Sequence, residues 1–236
     1  MKFEFKQFSV NQDRCAMKIG TDGVLLGAWA SLEQQPNSIL DVGTGTGVIA
    51  LMLAQRSMAE TVDALEIDEA AYEQAVENFE NAPWGDRLFC YHASFQEFFE
   101  EMDDMAYDLI VSNPPFYTST NKSDDTQRDL ARFEDALPFE HLFYGAAKLL
   151  SDTGHFALIA PFVEEDKLLA IAEAVGLFPK RITRVKGTPT VEIKRSLLLF
   201  SFAETTPEID ELVIEISRHQ YTEEYISLTR EFYLKM

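Results

Sequence analysis

The tetrapeptide Asn113-Pro-Pro-Phe116 carries the groups needed for chemistry on an amino group. Two consecutive prolines fix φ and remove two N–H donors, so the carbonyls of this turn are free to accept hydrogen bonds. A planar amino group stacked on Phe116 would donate one hydrogen to the Asn113 side chain and the other to the Pro114 carbonyl. The nitrogen lone pair would then face an electrophile. We therefore predict as catalytic residues Asn113, Pro114, Pro115 and Phe116; the alternative is a structural Pro-Pro turn capped by a core phenylalanine.

A second stretch that could form part of a functional site is the glycine-rich turn at Gly43, Gly45 and Gly47. Glycine at alternate positions lets the backbone turn sharply and approach a ligand closely. The apolar run that begins at Val48 predicts a helix whose free N–H groups face that ligand. Asp41, inside the preceding strand, needs a partner if it is buried, and either the turn or a ligand ammonium would supply one. This pattern predicts a nucleotide-type binding site.

Glu66 lies nineteen residues beyond Gly47, at the end of the next predicted strand. An acid at this distance from a glycine turn accepts hydrogen bonds from the two hydroxyls of a ribose. The alternative is a solvated acid at a strand end. The glycine turn favours the ribose role.

Strands and helices alternate along the chain around these residues. Strands are predicted at 39–42, 61–66, 87–91, 107–112, 154–161, 181–185 and 196–202, and helices at 48–56, 68–80, 95–104, 140–150 and 164–175. Such alternation implies βαβ crossovers and an α/β fold. We predict a doubly wound, mostly parallel seven-stranded sheet with a C-terminal antiparallel hairpin. Ligands of such sheets bind beyond the carboxyl ends of the strands, where the glycine turn, Glu66, Ala93-Ser94 and Asn113 all fall.

The whole chain, 1–236, is predicted to be a single domain. Within it, 1–30 is expected to be a lid or cofactor-contacting segment, with a short helix capped by Thr21 or Asp22. The segment 205–236 is expected to be an extension with a strand at 211–216 and a helix at 222–234. Polar 118–132 is long enough for a mobile substrate loop.

The net charge of −20 argues against broad, non-specific binding to nucleic acid, although it allows a local basic face. One stretch of sixteen residues concentrates cations against a single acid, Glu192. A hairpin there would gather these cations into one RNA-binding patch, and the alternative is a solvated face. The predicted RNA contacts are Lys180, Arg181, Arg184, Lys186, Lys194 and Arg195, with Lys122, Arg128 and Arg132 from the polar loop.

Composition sets the remaining expectations. With 46% hydrophobic residues the chain can bury a sizeable core, and no apolar run reaches the length of a membrane span. Its beginning lacks a signal-peptide core. Cys15 and Cys90 have no metal-ligand spacing, so no metal is expected. These features predict a cytoplasmic protein, expected to be a monomer.

The residues above resemble those of the Rossmann-like S-adenosylmethionine-dependent methyltransferases. Asp41 to Gly47 is similar to their cofactor loop and Glu66 to their ribose acid. The tetrapeptide at 113–116 resembles the motif of adenine-N6, cytosine-N4 and glutamine-N5 enzymes, with Phe in place of the commoner Tyr. Ser94 falls where the cofactor adenine is met, although the usual Asp is absent there. The resemblance implies cofactor contacts from Thr21, Asp41, Gly43, Gly45, Gly47, Glu66, Ile67, Ser94 and Asn113.

A narrower resemblance covers most of the chain. The segments 8–12, 18–29 and 222–234, together with 113–116, are similar to the bacterial tRNA(Val) adenine-N6 methyltransferases. That family modifies the adenine immediately 3′ of the anticodon. The resemblance implies a tRNA substrate, places Thr21 near the methionine end of the cofactor, and makes the basic stretch a candidate for holding the anticodon arm.

Three other functions remain open at this level. A methyltransferase of protein glutamine side chains would use the same Asn-Pro-Pro turn on a carboxamide. An NAD-type oxidoreductase would use the glycine turn but leaves 113–116 unexplained. A non-catalytic cofactor-binding adaptor would not need an intact Asn113, Pro114 and Phe116.

Overall fold

The computed structural model describes residues 2–102, 105–115 and 137–236. The strands are β1 (Lys2–Glu4), β2 (Ser9–Asn11), β3 (Ser38–Val42), β4 (Thr61–Glu66), β5 (Leu88–His92), β6 (Tyr107–Ser112), β7 (Leu150–Pro161), β8 (Phe178–Lys186), β9 (Arg195–Ser201), β10 (Glu208–Val213), β11 (Glu215–Ser217) and β12 (Gln220–Tyr221). The helices are α1 (Thr21–Trp29), α2 (Val48–Arg56), α3 (Glu69–Glu80), α4 (Phe95–Glu101), α5 (Phe139–Leu149), α6 (Glu165–Ala174) and α7 (Glu223–Thr229). A 3₁₀ turn at Phe162–Glu164 follows β7.

Eight of the strands form one sheet in the order β10-β8-β9-β7-β6-β3-β4-β5. The five strands from β7 to β5 in this order are parallel, and β9 is antiparallel to both β7 and β8. The predicted mostly parallel α/β fold is therefore confirmed, and β11 with β12 forms an antiparallel C-terminal hairpin.

The sheet has one strand more than the predicted seven. β10 pairs in parallel with β8, with Glu208 opposite Arg181 and Val213 opposite Lys186. The predicted strand at 211–216 therefore begins earlier and is divided between β10 and β11. An edge strand carries charged side chains on its open side, and these obscure the apolar alternation by which a strand is recognised.

Two apolar layers cover the sheet, one on each face. Adjacent residues of β3 point to opposite layers, so Ile39 packs with α1 and α2 whereas Leu40 packs with α4, α5 and α6. Asp41, which follows Leu40, therefore faces the start of α2. This alternation decides which side chains reach the carboxyl edge of the sheet.

Several helix ends differ from prediction, and α7 ends at Thr229, five residues short of the predicted 234. The N-cap of α1 is Gly20 rather than the predicted Thr21 or Asp22, and no side chain caps it. α4 ends at Glu101, three residues short of the predicted 104. It buries three phenylalanines, so the acidic surface helix expected here has one apolar face: Phe95, Phe98 and Phe99.

The N-terminal segment packs against the last part of the chain. Phe5 forms an isolated antiparallel bridge with Tyr233, and the Lys6 N–H donates to the Phe232 carbonyl at 2.9 Å. Phe5 also stacks on Phe8, with 4.6 Å between ring centroids. These contacts fix residues 5–8, and the chain then continues past α3 to the start of α1.

Candidate active site

The glycine turn between β3 and α2, which we name the glycine corner (residues 43–47), adopts the backbone that its sequence predicts. Gly43, Gly45 and Gly47 have φ values of 72°, 55° and 79°, a region that L side chains rarely adopt. A Cβ added at Gly43 or Gly45 would meet nothing within 4 Å, whereas one at Gly47 would lie 2.5 Å from the Phe79 ring. The first two glycines thus present an open backbone surface, and the third lets α3 pack against the turn.

Asp41 is fully buried behind this corner. Its Oδ2 accepts from the Thr44 hydroxyl at 2.6 Å and from the Ala50 N–H at 3.2 Å. Burial raises the pKa of Asp41 to about 7, although both bonds favour the ionised form. Oδ1 is buried without a hydrogen-bond partner among the described residues. One oxygen therefore orients the turn, and the other is available to a donor from a ligand.

Glu66 ends β4, and its hydrogen-bond donors within the described part of the chain are all backbone N–H groups. Oε2 accepts from the Gly45 N–H at 2.7 Å, and Oε1 accepts from the N–H groups of Ile67 and Asp68 at 2.9 Å each. A carboxylate offers about four acceptor positions, so one remains on Oε2. Glu66 is 9% exposed and joins the end of β4 to the middle of the glycine corner.

The Asn113-Pro-Pro turn follows β6 at the same edge of the sheet. The Ser112 hydroxyl donates to the Val42 carbonyl at 2.9 Å, which fixes the end of β6 against the end of β3. A Cβ at Gly23 would lie 3.8 Å from Nδ2 of Asn113, so the first turn of α1 lies directly against the Asn113 amide. Pro114 is buried and Pro115 is exposed.

The first turn of α1 also contacts the basic hairpin. Asp22 accepts from Nε of Arg195 at 2.8 Å, and both side chains are about one-third exposed. Thr21 is exposed beside them. The turn thus connects the end of β6 to the start of β9.

Ile67 and Ser94 lie at the ends of β4 and β5. Ile67 is 53% exposed, and its carbonyl lies 3.0 Å from Nε2 of His92. Ser94 begins α4 in a capping box, where its hydroxyl donates to Glu97 at 2.7 Å and accepts from the Glu97 N–H at 3.2 Å. One acceptor lone pair of the Ser94 hydroxyl remains.

The basic stretch does form a hairpin, but its cations do not form one patch as expected. Val185 lies opposite Arg195, which in turn lies opposite Pro161 at the carboxyl edge. Arg181 lies opposite Leu199, four residues further along the strand, or about 13 Å away. Lys180 is further still, so these two cations lie away from the site.

Acids neutralise four of the six cations. Arg181 also lies over the Trp29 ring at 5.4 Å, and Arg184 lies over Phe162 at 5.5 Å on the other face of the sheet. Successive strand residues point to opposite faces, and this acidic chain supplies a carboxylate on each. The ion pairs are Arg181–Asp210, Arg184–Glu165 and Lys186–Glu211 at 2.7 Å and Arg195–Asp22 at 2.8 Å.

Sequence reasoning missed one positioning residue, Asn78 on α3, which is 2% exposed. Its side chain accepts from the Asn11 N–H at 2.8 Å and donates to the Asn11 carbonyl at 2.9 Å. It also donates to the Thr46 carbonyl in the glycine corner at 2.9 Å. A buried amide on an otherwise amphipathic helix was the available signal, because such a group needs partners.

Some predictions fall on residues that the structure does not describe. Phe116, Lys122, Arg128 and Arg132 lie outside the described residues, as does the loop predicted at 118–132. Within the described ranges, no group of three His, Cys, Asp or Glu side chains has the arrangement of a metal site. None of the described helices has the length and apolarity needed to cross a bilayer.

The site has the features that a nucleoside cofactor with an amino-acid tail requires. The corner offers open backbone at Gly43 and Gly45, an acid at Glu66 for hydroxyl groups, and an unpartnered buried oxygen on Asp41 for an ammonium. All of them lie at one edge of the sheet with Asn113 beside them. These residues fit S-adenosylmethionine.

Comparisons with known proteins define the class. A family model described as a methyltransferase small domain matches residues 22–170. A solved structure of a predicted O-methyltransferase from Agrobacterium tumefaciens superimposes with a TM-score of 0.69. It covers 89% of this chain and 96% of that one at 19% identity, a likeness of fold alone. The chain is an S-adenosylmethionine-dependent methyltransferase.

Full-length relatives narrow the class. A protein from Christiangramia forsetii is 66% identical over 99% of this chain and 98% of its own length. Another from Flavobacterium johnsoniae is 66% identical over 99% of this chain and 100% of its own. Both are named tRNA1(Val) (adenine(37)-N6)-methyltransferase. The chain belongs to this family.

Proposed function

We propose that this protein transfers a methyl group from S-adenosylmethionine to N6 of an adenine in tRNA, the adenine 3′ of the anticodon in a valine tRNA. The observation that carries the proposal is the Asn113-Pro-Pro turn at the end of β6, next to the glycine corner, in a chain 66% identical to relatives of that name.

S-adenosylmethionine supplies the electrophilic methyl group when bound. In the proposal, Gly43, Gly45 and Gly47 provide the backbone surface beneath it, and Asp41 accepts from its ammonium group through the unpartnered Oδ1. Glu66 accepts from the ribose hydroxyls. The remaining proposed contacts are those of Thr21, Ile67, Ser94 and Asn113 at the same edge.

The proposed chemistry needs alignment more than acid or base. The Asn113 side-chain oxygen and the Pro114 carbonyl accept the two hydrogens of the adenine amino group, and Phe116 supplies the stacking face. Accepting both hydrogens would draw the nitrogen lone pair out of conjugation with the ring and direct it at the methyl carbon. The methyl–sulfur bond would break as the nitrogen–carbon bond forms, which would leave S-adenosylhomocysteine, and one amino proton would pass to solvent. An unpaired base in an RNA loop reaches such a site at lower cost than a base in a duplex.

RNA is preferred over a protein glutamine substrate because of the charge at the edge of the site. Lys194 is exposed beside the Arg195–Asp22 ion pair, and that pair touches the helix turn that contacts Asn113. A carboxamide has no need of nearby cations, whereas an RNA backbone does. The proposed RNA face therefore keeps Lys194, which adjoins the Arg195–Asp22 ion pair, and leaves out Lys180 and Arg181.

The test is a transfer assay with methyl-labelled S-adenosylmethionine. An unmodified valine tRNA transcript should gain label that digests to N6-methyladenosine. A matched transcript with guanine in place of the adenine 3′ of the anticodon should gain none. Label that appears only in a fraction of total cell protein would replace this function with glutamine methylation.

A further inference from the structure

The first turn of α1 and the start of β9, which the Asp22–Arg195 ion pair joins, are each preceded by an exposed lysine. Lys18 precedes α1, and Lys194 precedes β9. Neither Nζ has a carboxylate within 4.0 Å among the described residues, in contrast to Arg184, Lys186 and Arg195. These two charges are therefore available to an external partner.

The ion pair sets where the two lysines lie. Arg195 Nε donates to Asp22 at 2.8 Å, and Lys194 is the residue immediately before it. Lys18 is four residues before Asp22, a span of at most about 14 Å. Gly23, the next residue of this turn, faces the Asn113 amide, whose Nδ2 would lie 3.8 Å from a Cβ added at Gly23. Both lysines therefore lie on segments joined directly to the wall of the catalytic turn.

Each lysine has an exposed apolar side chain close in sequence. Met17 is 60% exposed beside Lys18, and Val191 is 40% exposed three residues before Lys194. A nucleotide combines an anionic phosphate with apolar sugar and base faces, so a lysine with an apolar neighbour matches it. Protein amide or carboxylate substrates would not need this combination.

The surrounding charge makes these positions distinctive. The chain carries a net charge of −20, which repels an RNA backbone, and the paired cations near the site are compensated by their own carboxylates. Uncompensated positive charge at the edge of the site attracts phosphate most effectively, because counterions are released there.

We propose that Lys18 and Lys194 bind RNA phosphates next to the target nucleotide, and that the Asp22–Arg195 ion pair holds together the two segments that carry these lysines. The inference rests on the proposed function, since it takes the base at Asn113 to belong to an RNA strand. It goes further by dividing the cations of the chain into those that contact RNA and those that stabilise the fold.

The experiment measures affinity for a valine tRNA transcript over a series of salt concentrations. Lys18→Ala and Lys194→Ala should each reduce the slope of log K against log salt by about 0.7, the value for one contact to single-stranded RNA. The double variant should lose about 1.4 in slope, and its affinity at 0.1 M salt should fall about 25-fold. Affinity for S-adenosylhomocysteine should be unchanged, which shows that each variant is folded.

Lys180→Ala is the matched control, because Lys180 is an exposed lysine of the same basic stretch at the far end of β8. It removes the same charge and should leave the slope unchanged. Equal slopes for the double variant and the wild type would overturn the inference. So would a Lys180→Ala variant that loses as much slope as Lys194→Ala, since net charge alone would then explain binding.

Methylation by the wild type is scored separately. If the wild type binds tRNA with the expected dependence on the two lysines but transfers no methyl group to it, the proposed function fails while the phosphate contacts stand. If the wild type methylates tRNA and the slopes of the lysine variants equal that of the wild type, the proposed function stands while the phosphate contacts of Lys18 and Lys194 are ruled out.

Discussion

The glycine corner and the β8–β9 hairpin lie at the same edge of the sheet but handle charge in opposite ways. Next to the corner, Asp41 and Glu66 are buried carboxyl groups bound by hydroxyl and backbone N–H donors, and neither has an ion-pair partner among the described residues. In the hairpin, guanidinium groups are each paired with a carboxylate from another element. The corner keeps acceptor capacity available, whereas the hairpin uses most of its charge internally.

The difference follows from how far apart the partners are along the chain. Glu66 bonds to Gly45 across 21 positions within one βαβ unit, and Asp41 bonds to Thr44 across three. Arg195 reaches Asp22 across 173 positions. The geometry of a site that is assembled from residues close in sequence is determined by the local sequence. Whether a cation is free to bind a partner depends instead on every acid that the fold brings near it.

The largest effect is expected from loss of the Asn113 side-chain amide, which lies at the same edge of the sheet as the glycine corner. Asn113→Ala should reduce turnover by about 10³-fold, because the residue acts on the reacting nitrogen, while affinity for S-adenosylhomocysteine stays close to that of the wild type. Single-turnover transfer and calorimetry measure the two quantities. Asn81→Ala, at the exposed C-cap of α3, is the control, and full activity in Asn113→Ala would contradict the proposed mechanism.

Asp41 tests whether ionising a buried carboxyl group that has no cation partner lowers the stability of the fold. Burial raises its pKa from 3.8 to about 7, so the native state holds this proton after the unfolded chain has lost it. Stability should therefore fall as pH rises from about 4 to about 7 and then level off. The stability of the Asp41→Asn variant should not fall in this way. Relative to the wild type, its free energy of unfolding should rise by roughly 2–4 kcal/mol between pH 5 and pH 8.

Urea unfolding of both proteins at several pH values measures this difference. The comparison with Asp41→Asn removes the contributions of other titrating groups, which the two proteins share. If stability varied with pH in the same way in both proteins, Asp41 would be ionised throughout the range. The site would then contain a fully charged buried acid, as the hairpin does in its ion pairs.

Glu66 tests the network of backbone donors. Glu66→Gln places an amide nitrogen against N–H donors, either that of Gly45 or those of Ile67 and Asp68. Affinity for S-adenosylhomocysteine should weaken by roughly 1–3 kcal/mol, the cost of disturbing the acceptor that the ribose hydroxyls need in the complex. Calorimetry checks the value, with Glu69→Gln in the first turn of α3 as control. Equal affinity in both variants would remove Glu66 from the site.

The smallest effect is expected at the far end of the hairpin. Arg181→Met removes the ion pair with Asp210 and the contact with Trp29, so stability should fall by about 1 kcal/mol. Methylation of tRNA should not change. The Asp210→Asn variant and the double variant complete a mutant cycle by thermal unfolding. A tRNA-specific loss of activity in Arg181→Met would restore Arg181 to the RNA face.

The corner could be predicted from sequence because each signal is local. Alternate glycines predict the turn, and the spacing to Glu66 places an acid at the next strand end. The alternating pattern of elements predicts the parallel sheet that brings Asn113 to the same edge. None of these inferences requires knowledge of distant residues.

The hairpin could not be predicted to the same degree. Its two strands were recognised, but the division of cations between two faces and two ends depends on the register of β8 with β9. The carboxylates that neutralise them come from α1, α6 and β10. Asn78 was missed for the same reason, since its importance lies in joining Asn11 to Thr46.

The contact between the N-terminal segment and the end of the chain has a consequence for folding kinetics. Lys6 bonds to the Arg230 carbonyl across 224 positions, and Phe5 bridges Tyr233. Closing so large a loop is entropically unfavourable until most of the intervening chain is ordered. We therefore expect the sheet and the glycine corner to form first, and the N-terminal segment, which contacts Asn78 through Asn11, to dock late in the assembly of the cofactor site.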